Sequence, residues 1–218
     1  KSENQIMVNW NTDILNKFIA PEIGSFTDAD IIDLREDHKE HPYWLSNHFL
    51  NNALRNSFKE PYRKYAINFI FRSQMAFDYY HQARKKTLEY LIGNEPTNPK
   101  VSKYYEAISL WELVFINWSI CLDIVKVMDG NNIFEKGDGS KEQRAYDIYN
   151  VIKHYGSKIR NETIKNDLTI PMWLSNNGFC SVSNSLTYSE LAGLIKDAAK
   201  IADKIQDPQG FYESNKTN

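Results

Sequence analysis

The 218 residues carry 26 Lys and Arg against 28 Asp and Glu, a formal net charge of −2, with 42% hydrophobic and 25% charged side chains. That is enough apolar material for one large domain, or one with a small appendage, and it lacks the basic excess by which polyanion-binding proteins usually announce themselves. Two cysteines, Cys121 and Cys180, exclude a disulfide framework and a Cys-rich zinc site.

The chain opens Lys-Ser-Glu-Asn without an apolar signal region. Its most hydrophobic stretch, Leu113 to Leu122, is flanked by Glu112 and Asp123. This run is shorter than the about 20 residues a bilayer requires. A soluble, cytoplasmic chain with no membrane partner is expected.

Residues 1–59 read as an appendage of short helices packed on a bundle. Thr12 caps a segment to Ala20, and Thr27-Asp28-Ala29-Asp30 starts a helix over Ile31–Lys39. Pro42, following His41, opens another helix that reaches Lys59. The bundle core occupies 60–206. From Glu60-Pro61 to Gly93, the residues Tyr62, Tyr65, Phe69, Ala76, Tyr80, Ala83 and Leu91 keep the three-and-four spacing of a buried helical stripe. Tyr104, Ile108, Trp111, Phe115, Trp118, Leu122 and Val125 repeat it from Pro99 to Met128, which predicts an antiparallel hairpin of two long helices.

Asp129 to Ser140 reads as a flexible loop. Ile133 and Phe134 fall where an EF-hand needs a ligand and a glycine, so calcium is not expected. A third core helix is predicted over Lys141–Arg160, burying Ala145, Ile148, Tyr149, Ile152, Tyr155 and Ile159. Residues 161–186 read as irregular, anchored by the apolar run Ile170 to Leu174. Thr187 and Glu190 have capping-box spacing for a last helix through Ile205, and 207–218 form a flexible tail. The expected fold is all-α: an up-and-down helical bundle built on a long antiparallel hairpin, with short N-terminal helices and no strands.

Catalytic signatures are sparse. There is no nucleophile elbow and no phosphate-cradling glycine loop. Asp78 and His81 have the spacing of a surface hydrogen bond, and His38 and His41 lie in a charged run typical of a solvated helix end. No metal and no cofactor is expected; convergence of His48, His81 and His154 is the one alternative. The remaining constellation lies in Tyr149–His154. Asn150 and His154, four residues apart, stack on one helical face, which Asp147 and Lys158 extend. A histidine there can act as acid or base near neutral pH, and an amide one turn away can hold a phosphate. The bland reading is a histidine snorkelling at the bundle surface.

Asn150-Val151-Ile152-Lys153-His154 resembles the signature of the HEPN superfamily, small all-α bundles that include many metal-independent endoribonucleases. The family motif is Arg, four to six residues, then His, the residue after the Arg commonly being Asn. Here Tyr149 stands in the position of the Arg, and Arg144 is separated from His154 by nine intervening residues. A cation must stabilise charge developing on the phosphate, which Tyr cannot supply. The resemblance implies a non-catalytic member that binds RNA or a protein partner in prokaryotic defence or stress. One alternative is an active ribonuclease with His154 and Asn150 as its chemistry and Arg144, Lys153 or Lys158 as phosphate clamp, beside Asp147. The other is a helical homodimer without chemistry, anchored by exposed Trp44, Tyr79 or Trp173.

Overall fold

Two long helices organise the computed structural model of the chain, which describes residues 11–55, 57–93, 100–130, 132–162, 164 and 168–208. α3 (Tyr62–Gly93) and α4 (Val101–Asp129) run as an antiparallel pair, as their stripes require. The 32 residues of α3 make it about 48 Å long. Ala66, Phe69, Ala76, Phe77, Tyr80 and Ala83 of α3 meet Tyr104, Trp111, Phe115, Trp118 and Cys121 of α4 in a single buried cluster. Tyr62, at the start of the predicted stripe, is instead exposed. α4 is by length and composition apolar enough to cross a membrane, with mean hydropathy 1.6, yet much of it is buried inside the fold.

The expectation of an all-α chain needs correction. Met172–Ser175 (β1), Gly178–Ser181 (β2) and Ser185–Thr187 (β3) form a three-stranded antiparallel sheet in the order β1-β2-β3. Phe179 pairs with Leu174 on one side and Leu186 on the other. The strands are only three or four residues long and β1 is buried on both faces; β3 alternates, but over three residues, too few to mark a period of two. The Ile170–Leu174 run does anchor the segment: Ile170, Met172 and Leu174 are buried. Phe179 docks the sheet on α4 and α7, its ring 4.8 Å from that of Trp111, 5.3 Å from Phe115 and 4.9 Å from Tyr188.

Three helix expectations also change. Ile31–Lys39 is not helical: the Tyr80 hydroxyl donates to the Ile32 carbonyl and Arg84 Nε to that of Ile31, so α3 side chains use acceptors that a helix would have consumed. The expected Pro42–Lys59 helix is a 3-10 turn at His41–Tyr43, then α2 (Trp44–His48) and a π-helical turn at Phe49–Ala53. The third core helix divides at His154 into α5 (Lys141–Lys153) and α6 (Tyr155–Arg160). Gly156 costs helical stability there and Ser157 Oγ donates to the His154 carbonyl. Ile159, expected in the core, is exposed.

The remaining ends follow the sequence more closely. α1 (Thr12–Phe18) is capped by Asn11 rather than Thr12. α7 (Tyr188–Gln206) begins with the capping box of Thr187 and Glu190. The proline-bearing connection after Gly93 and most of the expected tail lie outside the described residues.

Gly178 closes the β1–β2 turn against the neighbouring strand. A Cβ there would stand 2.1 Å from the Leu186 carbonyl oxygen. Gly178→Ala is expected to lower stability by about 1–3 kcal/mol, measured as a shift in the urea midpoint. An unchanged midpoint would contradict the close β2–β3 approach.

Candidate functional site

α5 is held at its start by Ser140, whose hydroxyl accepts from the Gln143 N–H, and by the Gln143 side chain, which accepts from Gly139. It then leans on α4, the sheet and α7, burying Ala145, Ile148, Tyr149 and Val151. Its remaining faces carry Arg144, Asp147, Asn150 and Lys153, with His154 at its C-terminal end and Lys158 on α6.

Arg144 is committed to the fold. Its guanidinium makes two bonds to the Glu190 carboxylate, at 2.5 and 3.3 Å, and donates to the carbonyls of Ser185 and Gly139. The fork therefore ties α5 to β3, to the first turn of α7 and to the preceding loop, and its charge is compensated. The Arg144 hydrogen bond holds the Glu190 carboxyl below its ordinary value. Asp147 accepts from Asn184 Nδ2 at 2.9 Å.

Asn150 and His154 remain one turn apart, but only Asn150 faces a cleft. Asn150 and Asp147 line a cleft of about 350 Å³ closed by the end of α4 and residues 132–136; His154 is not part of its wall. His154 lies at the α5–α6 break, exposed, with its backbone N–H still donating to the Asn150 carbonyl. Lys153 projects there too, its ammonium 5.6 Å from the Tyr149 ring centre. Lys158 and Arg160 follow on α6. Among the described residues, no Asp or Glu stands within ion-pair distance of Lys153, His154, Lys158 or Arg160. The elbow thus sets three cationic side chains without carboxylate partners, Lys153, Lys158 and Arg160, around an exposed histidine on a chain of near-neutral charge.

The cleft contains residues the motif reading missed. Lys126 and Asp123 come from α4, and Asn132, Phe134 and Lys136 from the loop. The Phe134 and Tyr146 rings pack 5.5 Å apart. The legible signal was Ile133-Phe134 itself, an apolar pair inside a Gly- and Asp-rich loop, which needs a surface to cover it.

Three of the other histidines, His38, His41 and His81, converge around Phe77. His38 and Trp44 share the Asp203 carboxylate, at 2.8 and 2.6 Å. His41 stands 3.3 Å from Asp78, the residue expected to partner His81, while His81 faces Asp33 at 3.7 Å. His48 contacts Asn52 and the Ile205 carbonyl. Among the described residues, no three His, Cys, Asp or Glu side chains are grouped to hold a metal ion. Cys121 is buried, its thiol pushed up to about 12 by desolvation.

The chain matches no protein-family model, no curated protein and no solved structure. Its likeness to the HEPN superfamily therefore rests on the short motif and the helical layout.

Burial pushes His81 down to about 4 from an ordinary 6.5. The unfolded chain then binds the extra proton, so this group's stabilising effect is complete above pH 6.5 and is lost as pH falls toward 4. His81→Leu is expected to remove about one proton from the acid limb of the pH–stability curve. Glu190, depressed by Arg144, acts in the same direction at lower pH: its contribution is present above about 4.5 and fades below it. Arg144→Ala should cost about 1.5–3 kcal/mol at neutral pH, read from the denaturant midpoint.

Proposed function

We propose that this chain is a non-catalytic, HEPN-like RNA-binding helical protein whose contact surface is the α5–α6 elbow. The observation that carries the reading is the run Lys153, His154, Lys158 and Arg160, which has no carboxylate partner among the described residues. Cations without local partners are available to phosphates, and release of counterions from a polyanion favours such contacts. Single-stranded RNA fits better than duplex recognition by a groove-reading helix. The elbow is an exposed bend of α5 and α6, and Tyr155, between Lys153 and Lys158, adds an aromatic body beside it.

Three features favour binding over cleavage. Arg144, the nearest upstream guanidinium, is occupied by Glu190 and two carbonyls, so the charge needed on a developing phosphorane is spent within the fold. Tyr149, in the position where the resembling family carries its Arg, is buried beneath Lys153. His154 lacks a side-chain partner among the described residues that would orient its imidazole as a general base.

A second reading is association through the exposed apolar side chains Tyr43, Phe49, Leu50 and Leu54, clustered in and around α2. The anchors first expected for a homodimer are not presented: Trp44 is fully buried, and Tyr79 and Trp173 are half-buried. Sedimentation of wild type beside Phe49→Ser/Leu54→Ser distinguishes this reading, since only a dimer through that surface would change mass.

The RNA reading is tested by titrating labelled single-stranded RNA in EDTA at several salt concentrations. Lys153→Glu/Lys158→Glu/Arg160→Glu is expected to abolish binding. Single lysine-to-alanine changes should each reduce the salt slope by about 0.7. His154→Ala is expected to bind without any change in the integrity of the RNA. Cleavage by wild type that His154→Ala abolishes would establish the ribonuclease alternative; equal binding by the charge-reversed variant would remove the elbow from consideration.

A further inference from the structure

The cleft beside α5 is one of two adjoining cavities. The second, about 280 Å³, lies between α4 and α7 and is walled by Phe69, Trp118, Val125, Leu194, Ala198 and Ile201, with Glu142 and Asp197 on its margin. Leu122 and Ile133 belong to both walls, so the two spaces meet across these side chains. Ile133 comes from the loop after α4, and it is itself partly exposed. The loop is shaped rather than loose. Gly130 caps α4 in a left-handed conformation, and Asp138 accepts from the N–H groups of Glu135 and Ser140.

The two cavities differ in chemistry. The α4–α7 cavity is apolar, and its wall atoms lack the dispersion partners that close-packed interiors provide. The α5 cleft is polar, and its charges are unequally satisfied. Asp147 accepts from Asn184, and Asp123 accepts from the Tyr146 hydroxyl at 3.4 Å. Lys126 and Lys136 make no ion pair among the described residues. At the margin of the apolar cavity, Lys141 stands 3.7 Å from Glu142 and 3.5 Å from Asp197, so those carboxylates are compensated. The cleft balances two carboxylates against two ammoniums, but the carboxylates hold hydrogen bonds whereas neither lysine has an acceptor among the described residues, so the groups left unsatisfied next to the apolar space are cationic donors.

We propose that the joined cavities are one binding site for a small amphipathic anion, its apolar body between α4 and α7 and its anionic group beside Lys126 and Lys136. The site is independent of RNA binding at the elbow, because none of these side chains belongs to it. Together the cavities fall within the size range of small-molecule sites, largely apolar with a few fixed polar groups. Burial of the tail supplies affinity; the lysines select the head.

Straight-chain carboxylates of increasing length, below their micelle concentrations, test the proposal by calorimetry on the full chain. Affinity is expected to rise about fourfold per added methylene until the apolar cavity is filled. Decyltrimethylammonium is expected to bind at least about tenfold more weakly than decanoate. Lys126→Ala/Lys136→Ala should weaken decanoate and leave decanol unchanged, a split that general damage to the fold would not produce. Ala198→Phe, filling the apolar cavity, should abolish binding of both while circular dichroism reports an intact helical fold. Trp118 fluorescence should change on binding in wild type, and that change should vanish in Trp118→Phe. Absence of saturable decanoate binding up to about 1 mM overturns the site. Equal affinity for the cationic head, or for the double lysine variant, overturns the assignment of an anion.

Discussion

A buried polar group must find a hydrogen-bond partner, and the aromatic core of this protein turns that requirement into its architecture. α3 and α4 bury Tyr80, Tyr104 and Trp111 between them. Trp111 Nε1 is satisfied within the pair, by Thr87 at 2.9 Å. The two tyrosine hydroxyls reach outward, and each fixes a segment that has little helical or strand propensity of its own. Tyr80 takes the Ile32 carbonyl, which holds the N-terminal segment extended. Tyr104 accepts from the Leu174 N–H and so pins β1. Tyr188 repeats the device from α7, donating to the Ser175 carbonyl. Trp44 does so from α2, donating to Asp203. The N-terminal segment, β1 and the α2–α7 contact are thus each fixed by the polar tip of a core aromatic.

The same economy governs α5. Arg144 could have served as a phosphate ligand, but its fork closes the junction of α5, β3 and α7. With that junction fixed, the face bearing Asn150 and Asp147 turns toward the loop after α4 and forms a cleft. The helix breaks one turn later, and His154, Lys153, Lys158 and Arg160 are carried onto the open elbow. A hexapeptide that looks like one constellation in sequence becomes two surfaces with different chemistry. The cleft is a half-open, amide-bearing groove that shares Leu122 and Ile133 with an apolar space; the elbow is exposed and cationic.

The histidines illustrate how a fold can absorb titratable groups. Around Phe77, three of them pair with separate aspartates, His38 with Asp203, His41 with Asp78 and His81 with Asp33. Asp33 is also gripped by Arg35, whose hydrogen bond holds the carboxyl well below the usual range. Burial lowers His81 and His48 and raises Asp78. His41, His81, Asp33 and Asp78 form a polar seam between the N-terminal segment and α3, in which His41 rather than His81 reaches Asp78.

What the sequence determined by itself is the frame: two long helices, the capping box of α7, the buried thiol of Cys121 and the loop after α4. Each is a local or periodic property, set by helical spacing, capping chemistry or glycine content over neighbouring residues. Tertiary structure alone decided the extended path of Ile31–Leu34, the three short strands and the split at His154. In the first two, distant aromatic and arginine side chains supply hydrogen bonds that override local preference. The strands moreover are too short, and β1 is too evenly buried, to leave a period of two. That Asn150 and His154 face different surfaces depends on where α5 ends and on what Arg144 binds, forty-six residues away at Glu190. Spacing along α5 places the two residues one turn apart, but which of them lines a cleft is decided by the loop after α4, which that spacing does not place.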